Sequence, residues 1–158
     1  MSLTMIDESE VIRVIRDESV LIDKGAIGEL YETALKFVGL GVGGILYTAG
    51  KQGGLRGARL LHERLNLDGD ALFDAAMIAF NTSGWGAATL RRENGKVRVS
   101  IGESALAKSL SRKKRPVCHP LAGYMAGFFE QAWHRQVKVR EVECLAVGDA
   151  ACVFEVEG

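Results

Sequence analysis

The sequence predicts an α+β fold, with helices set against an antiparallel sheet, and three observations carry that expectation. Apolar residues recur at helical spacing through the N-terminal half and again beyond Pro116. Asn94-Gly95 separates two strand-like runs, and a second strand pair encloses Gly148-Asp149. The order is therefore helices, hairpin, helix, hairpin.

Taken in order, residues 1–24 read as an N-terminal segment ahead of a single domain over 25–158. The leader Met1-Ser2-Leu3, with a second methionine at Met5, is consistent with an expression remnant and is set apart from the fold. Ile27, Leu30, Tyr31, Ala34, Leu35 and Val38 then form the apolar side of a helix, with Glu29, Glu32 and Lys36 opposite. From Val42 to Leu65 helical spacing continues through Ile45, Leu46, Ala49, Leu60 and Leu61, but Gly43, Gly44, Gly50, Gly53, Gly54 and Gly57 interrupt it. Each interior glycine costs about 1 kcal/mol against alanine. Such a run therefore implies close approach of another backbone or of a ligand.

A third helix follows the carboxylate cap in Asp68-Gly69-Asp70, carries Leu72, Phe73, Ala76, Met77 and Phe80, and stops near Ser83-Gly84. Trp85 to Arg92 and Lys96 to Ile101 make a hairpin about Glu93-Asn94-Gly95. Ser109 to Arg115 reads as a basic, solvated connection: the run is short and no aromatic residues interleave. Pro120 suits the first turn of a helix bearing Leu121, Tyr124, Met125, Phe128, Phe129 and Ala132. Val137 to Val147 and Ala151 to Glu157 are the last two strands.

Length and composition exclude several function classes. The chain has 158 residues, 47% hydrophobic and 25% charged, with 20 basic and 20 acidic residues, which implies no nucleic-acid partner. No apolar stretch is long enough for a membrane span and no signal-peptide pattern is present, so the cytoplasm is the expected compartment. In that reducing environment three cysteines point to metal binding or burial sooner than to disulfides.

Familiar catalytic motifs fail on context. Gly39, Gly41 and Gly44 spell a dinucleotide fingerprint, but a helix precedes them where the fingerprint needs a strand. Gly50-Lys51 resembles the end of a phosphate loop, yet Ile45 and Gln52 stand at two of its required positions. Of His62, His119 and His134 only His119 adjoins a cysteine, and sequence neighbours on a helix do not face each other. No catalytic residue is assigned, and the chain reads more as a binding protein than as an enzyme.

The cysteines carry more information. Cys144 and Cys152 flank Gly148 symmetrically, so a hairpin turning there sets them opposite each other on one face. Cys118 precedes a helix, near the free N–H groups that favour a thiolate. If that helix packs on the hairpin, three sulfurs converge, and a zinc needs a fourth ligand from Glu141, Glu143 or His119. Strict alternation turns both glutamates away and sets Glu141 opposite Glu155, whereas a bulge near Glu141 relieves both difficulties. The plainer alternative is that Val142, Cys144, Cys152 and Phe154 line a core face.

Pro116-Val117-Cys118, Gly123-Tyr124, Gly127-Phe128, Glu141, Cys144, Gly148-Asp149, Cys152 and Phe154 together resemble the vinyl-4-reductase domain family of predicted hydrocarbon-binding proteins. Leu46-Tyr47, Gly50, Gly54, Gly84-Trp85-Gly86 and Glu103-Ser104-Ala105 extend the resemblance over about residues 25 to 157. It implies a helical layer on an antiparallel sheet, shared with haem nitric-oxide-binding domains and vesicle-tethering small subunits, and commonly dimeric. By the same resemblance Cys118, Glu141, Cys144 and Cys152 hold a structural zinc.

The family's theme is retention of a small apolar or aromatic molecule. Tyr47, Met77, Trp85, Tyr124 and Phe128 are the expected lining of such a pocket. Two other functions stay open: an accessory role in reduction of a tetrapyrrole vinyl group, with a partner supplying the hydride, and a dimeric scaffold that binds nothing.

Overall fold

The structure is a computed structural model that describes residues 6–93, 95–110 and 112–158. The Met1–Met5 leader, Asn94 of the hairpin turn and Ser111 of the basic connection lie outside the described residues. The expected class holds: six helices pack on a four-stranded antiparallel sheet of order β1-β2-β4-β3.

The chain enters through α1 (Glu8–Asp17), in a segment from which no helix was expected. Asp7 caps it by accepting from the Ser9 and Glu10 amides at 2.9 and 3.3 Å. Its Val11 and Val14 are buried in the common core. The signals were present in Asp7 followed three residues later by Glu10, and in Val11 and Val14 one turn apart.

Helix α2 (Lys24–Val38) is capped by Asp23 and released at Gly39, whose φ of 67° suits glycine. Its inward side differs from the expected one, because Gly28 and Tyr31 are buried while Leu30 and Val38 face solvent. The reason is the contact with α5 (Ala105–Ser109): a Cβ at Gly28 would meet the Ser109 side chain, so the glycine side faces inward. A short 3-10 turn over Gly39–Gly41 leads into α3 (Val42–Leu65), which Asn66 ends in the left-handed conformation.

Helix α4 (Gly69–Thr82) starts at the Asp68 cap, and α6 (His119–Trp133) carries Pro120 in its first turn, both as the sequence predicts. The interrupting glycines of α3 meet matching ones on α6. A Cβ at Gly50 or Gly54 would overlap the Pro120 or Tyr124 carbonyl, and one at Gly123 or Gly127 would overlap the Tyr47 or Lys51 carbonyl. Two Gly-x-x-x-Gly stripes thus interlock and bring the helix backbones into contact. A 2.7 Å ion pair between Lys51 and Glu130 crosses the same seam.

In the sheet, β1 (Ala87–Glu93) and β2 (Lys96–Gly102) pair from Ala87↔Gly102 to Glu93↔Lys96, the register an Asn-Gly turn requires. Val97, Val99 and Ile101 of β2 and Cys152, Phe154 and Val156 of β4 (Cys152–Glu157) are buried. Outward residues form ion pairs: Arg98 with Glu155 at 2.5 Å, and Arg140 with Glu155 at 3.5 Å.

The last hairpin departs from two uninterrupted strands. β3 (Lys138–Glu143) pairs Arg140↔Glu155 and Glu141↔Phe154, but then Glu143↔Val153, so one residue bulges between Glu141 and Glu143. The bulge replaces the like-charge pair Glu141/Glu155 with the attractive pair Arg140/Glu155.

Candidate metal centre

Cys118, Glu141, Cys144 and Cys152 come together from three separate segments. One donor atom from each lies within 4.8 Å of the other three, and among the described residues this is the one such group. All three cysteines are free and buried. Cys118 and Cys152 stand 3.7 Å apart, sulfur to sulfur.

Each side chain is placed by local backbone structure. Cys118 is the residue before the first turn of α6, where its carbonyl accepts from Ala122 at 3.0 Å. Cys152 opens β4 on the inward face, opposite Ile101 of β2. Cys144 is not a strand residue, contrary to expectation, because β3 ends at Glu143 and the chain turns at once. The Cys144 amide donates to the Asp149 carboxylate at 2.8 Å, and its carbonyl accepts from the Val147 and Asp149 amides. Asp149, which the sequence marks only as a turn residue, thus fixes the loop that presents this sulfur. The Leu145 amide also points at Cys152 Sγ, at 3.5 Å.

The bulge rotates Glu141 inward. Its Oε2 accepts from the Cys118 amide at 2.8 Å, while Oε1 is buried with no hydrogen-bond partner. A buried carboxylate oxygen without a partner costs several kcal/mol unless a cation or proton meets it. His119 is absent from the four-residue group, and its ring lies instead against Gly43 of α3. Between the two candidate fourth ligands, the geometry favours Glu141.

The electrostatics describe a cluster short of positive charge. Burial, followed by the Cys144 sulfur, pushes the Glu141 carboxyl up to about 8. Hydrogen bonding to Cys144 and Cys152, and then burial, push the Cys118 thiol far up, whereas donation from those two thiols pulls Cys144 far down. Tyr31 closes the site from α2 by donating to the Val117 carbonyl at 2.6 Å. Burial and the neighbouring negative groups keep its phenol protonated. Lys113 anchors the other side: its amide donates to the Ala146 carbonyl at 2.9 Å, and its ammonium pairs with Glu32 of α2. The basic connection is therefore partly tied down, not wholly solvated.

The expected pocket residues spread over three places. Tyr47 accepts from the Val139 amide at 3.3 Å, joining α3 to β3. Tyr124 lies along Gly53 and Gly57 of α3, and Phe128 packs on Phe73 with ring centres 6.0 Å apart. Met77 and Trp85 are partly buried against the same core. A groove of about 560 Å³ runs between Lys24, Lys108 and Ser109, and meets this set only through Gly84 and Gly86, the neighbours of Trp85. No helix among the described residues is long and apolar enough to cross a membrane.

Comparison with known proteins agrees with the family resemblance. Residues 97–158 match the vinyl-4-reductase domain, which places this part of the chain in that family. Two uncharacterized proteins of Methanocaldococcus jannaschii are similar in sequence. One is 43% identical over 70 residues, 44% of this chain and 38% of the relative, and the other 28% identical over 60 residues, 38% and 37%. The match thus spans less than two fifths of either relative.

Likeness in structure is wider. The phenol-responsive sensory domain of the transcription activator PoxR, solved with phenol, superimposes with a TM-score of 0.78 over 99% of this chain and 90% of that one, at 17% identity. A vinyl-4-reductase family protein from M. jannaschii gives 0.64 over 99% and 98%, at 20% identity. The expected kinship of fold is found too. A trafficking protein particle complex subunit 3 from Naegleria fowleri, covalently bound to palmitic acid, scores 0.66 over 85% and 93% at 14% identity. An H-NOX protein from S. oneidensis scores 0.59 over 94% and 88% at 11% identity.

Proposed function

We propose that the chain is a cytoplasmic module that binds a small apolar or aromatic molecule and has no catalysis of its own. It works as a homodimer whose C-terminal part is held by a structural zinc on Cys118, Glu141, Cys144 and Cys152. The observation that carries the metal reading is the convergence of those four donors with one carboxylate oxygen left over.

The donor set fits zinc. Bonds of about 2.3 Å to sulfur in a tetrahedron imply a sulfur–sulfur edge of about 3.8 Å, close to the 3.7 Å between Cys118 and Cys152. Three soft thiolates and one carboxylate also complete four-coordination, leaving no open position for a substrate. When bound, the ion supplies the positive charge the cluster lacks and cross-links the start of α6 to the turn of the last hairpin.

Ligand binding is supported by the likeness to a phenol-responsive domain and to a palmitate-bound subunit of the same fold. Tyr47, Met77, Trp85, Tyr124 and Phe128 are the proposed lining, reached through the groove beside Gly84 and Gly86. Balanced charge argues for no nucleic-acid partner.

Metal analysis of the purified protein tests the site: one zinc per chain is expected, and none in a Cys144→Ser, Cys152→Ser variant. Metal-free protein purified without chelator would refute it. Native mass spectrometry tests the ligand. A bound lipid or aromatic supports a binding module, a tetrapyrrole favours vinyl reduction, and protein with no affinity for either leaves a scaffold.

A further inference from the structure

Seven large apolar side chains in the stretch from residue 20 to residue 45 are exposed: Val20, Leu21, Ile22, Leu30, Phe37, Val38 and Ile45. Apolar surface concentrated in this way on a folded chain marks an interaction face. Its centre is the outward side of α2, where Leu30 and Phe37 are 69% and 85% exposed. Helix α2 is apolar on two opposite sides, and the inner one is already occupied by Tyr31, Leu35 and the Gly28 contact with Ser109.

The outward stripe has a definite pattern. Ala26, Leu30, Thr33 and Phe37 are all exposed and follow 4-3-4 spacing, the seam spacing of paired helices. The stripe is symmetric about its midpoint, so an antiparallel copy sets Ala26 against Phe37 and Leu30 against Thr33, small facing large in both layers. Glu29 and Lys36 occupy the same flank of this seam. They form no ion pair within the chain among the described residues. In an antiparallel pair that flank faces its own copy, which brings each Glu29 to the partner's Lys36.

We infer that α2 is the dimer seam, and that two copies join through antiparallel α2 helices by the stripe Ala26, Leu30, Thr33 and Phe37, flanked by reciprocal Glu29–Lys36 pairs. Such an interface is isologous, as a two-fold dimer requires. A net charge of zero adds no repulsion between copies. This assignment rests on the homodimer proposed above and adds its surface, orientation and partner residues.

Sedimentation equilibrium on the full chain tests it, with circular dichroism to confirm folding of each variant. A Leu30→Glu, Phe37→Glu variant is expected to dimerise about 100-fold more weakly or worse, because apolar anchors at the centre of an interface dominate its affinity. Glu29→Lys alone should weaken the dimer about tenfold by setting like charges together, and Glu29→Lys with Lys36→Glu should restore it. Rescue by the double exchange supports antiparallel α2 pairing. A dimer indifferent to Leu30→Glu, Phe37→Glu overturns the seam but leaves the dimer, whereas a monomeric wild-type chain overturns both.

Discussion

Helix α6 is held in two different ways along its length, and the contrast divides the molecule. Its body is fixed by shape: Gly123 and Gly127 interlock with Gly50 and Gly54 of α3 until the two backbones touch. Its start is fixed by chemistry, through Cys118 and the Glu141 carboxylate, in a cluster with too many potential negative charges and no cation of its own. The first attachment needs nothing beyond the chain. The second is complete only with a bound ion, so metal state should govern the C-terminal hairpin and leave the helix pair alone.

The largest expected effect comes from breaking the glycine seam. Gly54→Leu or Gly127→Val drives a side chain into a carbonyl of the facing helix, with little room for relief on either side. Destabilisation of about 4 kcal/mol or more is expected, seen as loss of soluble folded protein whether or not zinc is supplied. A variant that folds normally would break the comparison.

Next in size is removal of the metal. A ligand present at about a thousand times its dissociation constant stabilises by about 4 kcal/mol. A chelator should therefore lower the melting temperature of wild type markedly, and that of Cys144→Ser, Cys152→Ser not at all. Zinc retention should also weaken toward acid, where protons compete with the ion for the thiolates. Hydrogen exchange would sharpen the contrast: chelation should deprotect residues 138–157 and leave the α3–α6 amides slow.

Glu141→Gln separates the two states of the cluster. The amide oxygen can still accept from the Cys118 amide, but the charge that meets the ion is gone, so zinc affinity should fall about tenfold or more. In metal-free protein the effect reverses. Glu141 titrates at about 8 because burial disfavours its charge, so the neutral glutamine should stabilise that form above this pH. Urea denaturation with and without zinc at pH 9 reads both signs. The smallest effect is expected from Tyr31→Phe, which removes the bond to the Val117 carbonyl and should cost about 1 kcal/mol, measurable as a shift in denaturation midpoint.

Much of this arrangement was legible in the sequence. Asn94-Gly95 set the register of the first hairpin, although Asn94 itself lies outside the described residues. Repulsion between Glu141 and Glu155 in an unbroken ladder pointed to the bulge that is found. Helix α1 was overlooked because its apolar residues are few and sparse, so its burial comes from the surface of α3 and α4 and not from its own composition. Cys144 was expected on a strand because symmetry about Gly148 says nothing of where pairing stops, and Asp149 stops it by capturing the Cys144 amide. Leu30 was expected inside because periodicity gives the width of an apolar face and not which half of it meets the core.

The sequence by itself determined the element types, the α+β class, the hairpin register and the residue types of the four-donor set. These follow from short-range rules: periodicity, turn stereochemistry, capping and charge across neighbouring strands. Only the tertiary structure decided that the glycines of α3 meet those of α6 and that the bulge turns Glu141 toward Cys118. It also decided that one face of α2 stays open. Each depends on which surfaces come into contact across long stretches of chain, and a pattern of residues along one segment cannot contain the shape of another.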